Sequence, residues 1–153
     1  MVPMKRAIEL SRERMLSNEG GPFGAVIVKD GEIVAEGWNK VTSSNDPTAH
    51  AEMVAIRNAC EKLGSFELKG CEIYTSCEPC PMCLSAIYWA RLDKVYYGNT
   101  RQDAANINFD DEFLYQEIPK DLDKRKIPMI QECHHEANEV FQEWAKKEDK
   151  IEY

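Results

Sequence analysis

Apolar positions recur along the chain with two periods. The residues from Met4 to Ser17, after Pro3, carry Met4, Ile8 and Met15 on one stripe with Lys5, Arg12 and Glu13 off it, which predicts an amphipathic opening helix. Glu19-Gly20-Gly21-Pro22 breaks it. Phe23 to Lys29 and Glu32 to Asn39 read as strands, and Asp30-Gly31 between them predicts a tight hairpin. The polar, turn-rich run from Lys40 to Pro47 leads into a helix over Thr48 to Leu63. Asp46 or Thr48 would cap it, Pro47 or Ala49 would begin it, and Gly64 ends it. Cys71 to Thr75 predicts a third strand, the apolar run after Pro81 a buried helix, and Asp93 to Tyr97 a fourth strand closed by Gly98. Thr100 to Asp111 reads as a loop, Glu112 to Glu117 as a short helical piece and Lys120 to Lys126 as a charged connector. Ile127 to Cys133 reads as a fifth strand. Ala137 to Lys147 reads as a last helix with Val140, Phe141 and Trp144 at helical spacing. This order predicts an α/β protein, a mixed five-stranded sheet with helices on its faces.

Composition narrows the class. A chain of 153 residues suggests one domain large enough to bury a core, and 43% hydrophobic with 30% charged residues is ordinary globular composition. No apolar run is long enough to cross a bilayer, and residues 1–10 carry no charged-then-apolar signal segment, so a cytoplasmic location and no membrane partner are expected. Thiols stay reduced there, which makes the six cysteines metal ligands or small buried side chains, not disulfides. The net charge of −8 speaks against a large polyanionic partner, because proteins that hold a phosphate backbone present a basic face. A small neutral substrate fits better.

The densest chemistry lies in Cys77-Glu78-Pro79-Cys80-Pro81-Met82-Cys83. Cys80 and Cys83 have the spacing at which two thiolates grip one metal ion, and Pro81 is placed to open a helix whose dipole favours thiolate. His50-Ala51-Glu52 supplies an imidazole and a carboxylate at the entry to the second helix. Residues two apart do not share a helix face, so both can serve one site only in the first turn. Together these residues make three protein ligands with a fourth position open, the pattern of a catalytic zinc site. Two thiolates cancel the charge of Zn2+, and a carboxylate that is not a ligand is placed to shuttle protons.

His-x-Glu followed by Pro-Cys-x-x-Cys is the signature of zinc nucleobase deaminases, and the chain resembles the cytidine-deaminase-like superfamily. The resemblance implies a three-layer αβα fold with zinc between two helix N-termini. Further runs are similar to the small bacterial guanine deaminases. They are Gly20-Gly21-Pro22-Phe23-Gly24-Ala25, Ser44 to Glu52, Tyr74 to Cys83, Phe109-Asp110-Asp111-Glu112-Phe113 and the ending Ile151-Glu152-Tyr153. That group implies attack of zinc hydroxide on C2 of guanine with loss of ammonia to give xanthine. It implies one Zn2+ per subunit on His50, Cys80 and Cys83, with Glu52 as proton shuttle. Phe23, Asn39, Ala51, Asp111 and Tyr153 would contact the base. It also implies a homodimer exchanging the segment from about residue 128 to 153, with Tyr153 closing the pocket of either its own chain or the partner. Asp111 suits guanine, since a carboxylate only accepts hydrogen bonds and the Watson–Crick edge of guanine carries N–H donors.

Blander roles exist for each residue taken singly. Asn39 is a plausible turn residue, Asp111 a loop charge or cap, Tyr153 a frayed end, and Phe23 and Trp89 core aromatics. Cys60, Cys71 and Cys77 read as packing residues, and Cys133-His134-His135 as a strand end. The rival functions are a tRNA adenosine deaminase, a cytosine or pterin deaminase, and a zinc-stabilised binding module without turnover. The last leaves Glu52 unexplained.

Overall fold

In the first strand of the sheet, Ala25 and Ile27 alternate with Val26 and Val28, and all four are buried. A strand buried on both faces needs cover on both, and that requirement organises the fold. A computed structural model describes residues 2–153 in two units, the first ending at Asp111 and the second comprising Glu112–Tyr153.

In the first unit α1 (Pro3–Leu16) begins with Pro3 in its first turn and is stopped by Asn18 in the left-handed conformation, φ 61°. Strands β1 (Gly24–Lys29) and β2 (Glu32–Trp38) form the expected hairpin. Asp30 and Gly31 both have positive φ, as a two-residue turn with right-handed strand twist requires. A one-turn helix, α2 (Val41–Ser44), interrupts the stretch expected to be loop. Helix α3 (Ala51–Leu63) then starts later than expected, with His50 at its N-cap, and neither Asp46 nor Thr48 caps it. The Asp46 carboxylate instead accepts the Thr48 N–H at 2.8 Å and hydroxyl at 2.7 Å, so it turns the chain before the helix begins. Gly64, φ 62°, closes α3.

Strand β3 (Cys71–Cys77), helix α4 (Pro81–Trp89) and strand β4 (Lys94–Asn99) follow. The sheet order is β2-β1-β3-β4, antiparallel except for the parallel β3–β4 pair. β4 runs on through Gly98 because its pairing with β3 extends to Cys77 opposite Asn99. Beyond it α5 (Arg101–Ala105) replaces part of the expected loop. Thr100 accepts the Asp103 N–H and Asp103 accepts the Thr100 N–H, a reciprocal cap that the sequence reading overlooked.

The two faces of the sheet are covered differently. Leu10 of α1 packs with Val26 and Val28 on one side. On the other, Ala51, Ala55, Ile56 and Ala59 of α3 and Ile87 of α4 pack with Ala25, Ile27 and Ile73. This is the expected α/β/α layering with a mixed sheet.

The sheet has four strands among the described residues, not five. The second unit holds α6 (Glu112–Glu117), a 3-10 turn at Leu122–Lys124 and α7 (His134–Lys146). Residues 127–133 join no ladder. Pro128 lacks the N–H a strand would donate, and Ile127 and Ile130 are each 81% exposed, so no burial compensates for ordering an isolated strand. Arg125 braces the connector by donating to the carbonyls of Ile118 at 2.8 Å and Glu117 at 3.3 Å. Val140, Phe141 and Trp144 of α7 do fall at helical spacing, but all three are exposed. No helix among the described residues is long and apolar enough to cross a membrane.

Gly37 lets α3 lie against β2. A Cβ there would meet the Ala51 carbonyl oxygen and the Ala55 nitrogen, each at 2.4 Å. Gly37→Ala is expected to destabilise the zinc-loaded protein by about 1–3 kcal/mol, the usual cost of overpacking. It should also lower zinc retention, because Ala51 adjoins His50. Urea unfolding and metal analysis check both, and an unchanged midpoint with full zinc contradicts this account of Gly37.

Candidate metal centre and active site

Two helices begin at the site, and their first turns carry its chemistry. His50 occupies the N-cap of α3 with φ −69° and ψ 157°; Cys80 occupies the N-cap of α4 with φ −67° and ψ 169°. An N-cap side chain leaves the helix axis sideways, so each residue projects from the helix mouth. Ala51 and Glu52 are the next two residues of α3, and Cys83 lies in the first turn of α4 after Pro81. The expected placement of His50 and Glu52 at a helix entry is therefore met, with the helix beginning at Ala51 and not at Pro47 or Ala49.

The donor atoms of His50, Cys80 and Cys83 all lie within 4.8 Å of one another. Nδ1 of His50 is 3.5 Å from each sulfur. Zinc bonds of about 2.3 Å to sulfur and about 2.0–2.1 Å to nitrogen, at a tetrahedral angle, separate the two donors by about 3.6 Å. The spacing of this donor set thus fits zinc, and Nδ1 is the nitrogen that faces the metal position.

Charge at the site is shared unevenly in the free donor set. The Cys80 thiol is held down to about 4, first by a hydrogen bond from the Cys83 thiol, against the opposing effect of burial, and further by His50. Cys83, the donor in that bond and fully buried, is pushed up. The His50 imidazole is raised, chiefly by its bond with Cys80. Glu52 is only 6% exposed, and its carboxyl is raised by burial although bonds from Cys83 and Thr75 oppose the shift.

Glu52 has a partner that sequence reasoning missed. The Thr75 hydroxyl lies 3.1 Å from Glu52 Oε1 and 3.0 Å from the Cys77 carbonyl oxygen. A hydroxyl has one proton to give. With Glu52 ionised it donates to the carboxylate. With Glu52 protonated it donates to Cys77 and accepts from the acid. Thr75 therefore satisfies Glu52 in both proton states. The sequence signal was a polar residue at an inward strand position, flanked by Ile73 and Cys77.

The other singled-out residues divide. Asn39 is buried, and its side-chain oxygen accepts the N–H groups of Gly21 at 3.3 Å and Val41 at 3.1 Å; its amide NH2 is a separate donor. Phe23 packs against the core beside α3 and meets Phe109 edge to face, ring centroids 5.0 Å apart. Ala51 is fully buried. The Asp111 carboxyl is raised by burial and by charge on Cys80, so it shares the electrostatic field of the metal ligands. Tyr153 belongs to the second unit and is 76% exposed. Trp89 is 63% exposed and is not a core residue. Cys133 is exposed at the N-cap of α7, so Cys133-His134-His135 opens a helix and does not end a strand. Cys71 and Cys77 are buried as expected; the latter is pushed up to about 11 by burial and neighbouring carboxylates.

His50, Cys80 and Cys83, with the buried Glu52 beside them on an α/β/α scaffold, fit a zinc-dependent hydrolytic deaminase. The chain belongs to the family of the cytidine and deoxycytidylate deaminase zinc-binding region, which matches residues 2–99. It is 55% identical over 150 residues to a guanine deaminase of Bacillus subtilis, covering 98% of this chain and 96% of that protein. The X-ray structure of guanine deaminase from Bacillus subtilis superimposes with a TM-score of 0.96, covering 99% and 96% of the two chains at 55% identity. A tRNA-specific adenosine deaminase of Haemophilus influenzae is 32% identical over 154 residues, covering 97% of this chain and 86% of that protein.

Purified protein is expected to carry one zinc per chain. Cys83→Ala should bring the zinc content, read by elemental analysis, down to about a tenth or less, since loss of one of three protein ligands removes thiolate charge as well as a bond. Full zinc in this variant contradicts the assignment.

Proposed function

We infer that the protein is a guanine deaminase, which hydrolyses guanine at C2 to xanthine and ammonia. The observation that carries the reading is the identity sustained along the chain, 55% with the guanine deaminase against 32% with a tRNA-specific adenosine deaminase of similar coverage. The zinc-binding family match ends at residue 99, whereas the guanine deaminase likeness covers 98% of the chain and so takes in the region around Asp111.

His50, Cys80 and Cys83 would hold the metal. Zinc, when bound, supplies a Lewis acid that lowers the pKa of water from about 15.7 towards 7. Glu52 takes one proton from the attacking water and gives it to the ring nitrogen beside C2, then takes the second from the hydroxyl added at C2 and gives it to the departing amine. Its raised carboxyl and its two-way partner Thr75 support this role, since a group that both accepts and donates works best near the operating pH. Asp111 accepts from the N–H groups of guanine. The Asn39 NH2 donates to an acceptor on the base, its oxygen being already committed to backbone N–H groups. Phe23 packs on the purine, and Ala51 lies along it.

The reading includes a homodimer in which residues 128–153 of each chain cover the partner's site and Tyr153 closes the pocket. The exposed apolar side chains Ile127, Ile130, Phe141 and Tyr153 support it, because such surface is costly to leave in water. It also includes a cytoplasmic location, supported by cysteines that are all unpaired. The tRNA adenosine deaminase alternative has less support, since the net charge of −8 suits a nucleobase better than a polyanion.

Zinc-loaded protein incubated separately with guanine, adenine, cytosine and a tRNA anticodon stem-loop should release ammonia fastest from guanine. Turnover of another substrate without guanine overturns the reading. Glu52→Gln should keep its zinc and lose about 10²–10⁴-fold in kcat, as for removal of a general acid–base group; an active variant removes Glu52 from the role. Deletion of residues 151–153 should lower kcat/KM for guanine with zinc content unchanged. An unaltered rate excludes the tail from the pocket.

A further inference from the structure

One pocket residue of the proposed guanine site is fastened by a group of side chains outside it. Trp38, the last residue of β2, donates its indole N–H to one carboxylate oxygen of Glu19. Arg14, in the last turn of α1, donates to the other oxygen at 2.9 Å and lays its guanidinium over the indole, 3.9 Å from the ring centroid. Both Glu19 oxygens are thereby used, each by a residue of a different element. The Glu19 N–H also bonds the Arg14 carbonyl at 3.0 Å, so the backbone leaves α1 at a defined point.

The pocket wall begins one residue later. Gly20 is pressed so closely on Asn39 that a Cβ would fall 2.1 Å from the Asn39 carbonyl oxygen and 2.5 Å from its side-chain oxygen. Gly21 donates to that side-chain oxygen, and the Asn39 N–H bonds the Phe23 carbonyl at 3.2 Å. Trp38 and Asn39 are adjacent on one strand end; Glu19 and Gly20 are adjacent on the facing loop. The hairpin ladder, with Gly24 opposite Trp38 and the Asn39 N–H on the Phe23 carbonyl, sets the register of Phe23 against Asn39, and the Glu19–Trp38 bond pins Gly20 and Gly21 over the Asn39 side chain.

We propose that Glu19 is a positioning residue, which through Trp38 and Arg14 holds Gly20 and Gly21 against Asn39 and so fixes the direction in which the Asn39 side chain meets the base. The proposal rests on the guanine deaminase reading. The clamp touches neither the metal ligands nor Glu52. Its loss should therefore weaken ground-state and transition-state binding alike, which raises KM and spares kcat.

Glu19→Ala and Trp38→Phe test it in the full-length zinc-loaded protein. Trp38→Phe keeps a six-membered ring for Arg14 and removes the N–H donor together with the smaller ring of the indole, whereas Glu19→Ala leaves the indole whole. Each variant should raise KM for guanine about tenfold, the scale of one charge-assisted hydrogen bond, with kcat within about twofold and zinc unchanged. Glu19→Gln, which retains an acceptor for Trp38, should recover part of the loss. Independently of turnover, amide hydrogen exchange at Gly21, Phe23 and Val41 should quicken in Trp38→Phe. An unchanged KM overturns the proposal, and so does a parallel fall in kcat, KM-normalised rate and zinc, which marks a general structural role. If the unmodified protein releases no ammonia from guanine, the functional reading fails, and exchange alone decides the clamp: unaltered exchange overturns it.

Discussion

Two helix N-termini face one another across the site, and that is the constraint on which the rest depends. Each carries roughly half a positive charge from its unpaired N–H groups, so their approach is unfavourable unless negative charge lies between them. Cys80, whose thiol is held down, supplies it, while Cys83 and Glu52 are pushed the other way. A divalent cation held by both thiols would ionise Cys83 as well and complete the charge balance. The Cys80 thiol is held down chiefly by the hydrogen bond from the Cys83 thiol, and further by His50 and by the Cys83 backbone N–H in the first turn of α4.

Close packing is what permits that approach. α3 lies against β2 only because Gly37 has no side chain, and the same helix buries Ala51, Ala55 and Ala59, all small, against the sheet. Large residues on this face would lift the helix and carry His50 away from Cys80. Burial then does chemical work. Glu52 sits in the same dry layer, and its carboxyl is raised for that reason, with Thr75 able to serve either proton state.

The division of the chain follows a division of labour. The metal ligands and Glu52 stand on regular elements of the first unit, where packing fixes rotamers. The residues proposed to contact the base, Asn39, Phe23 and Asp111, stand on segments between elements, where a different ring could be accommodated without moving the metal ligands. The Glu19–Trp38–Arg14 group extends this logic, because it ties a glycine-rich loop to a strand end without entering the site.

The hairpin, the helices and the zinc group were legible in the residues because each has a local cause. Asp30-Gly31 adopts positive φ, Pro81 opens α4 and Gly64 closes α3, all without help from distant residues. The misreadings fall where local cause ran out. The start of α3 moved because Asp46 turned towards Thr48 and did not cap. The capping box of α5 was overlooked within a polar run. Ile127 to Cys133 has the apolar content of a strand, but a strand exists only with a partner, and among the described residues these have none. The sequence by itself determined which atoms can bind a metal and which element each stands on. Only the tertiary structure decided that Nδ1 of His50 lies 3.5 Å from both sulfurs, that Thr75 answers Glu52, and that Trp38 holds Glu19. Those are contacts between residues about 20 to 30 positions apart, set by sheet register and helix packing, and no local pattern encodes them.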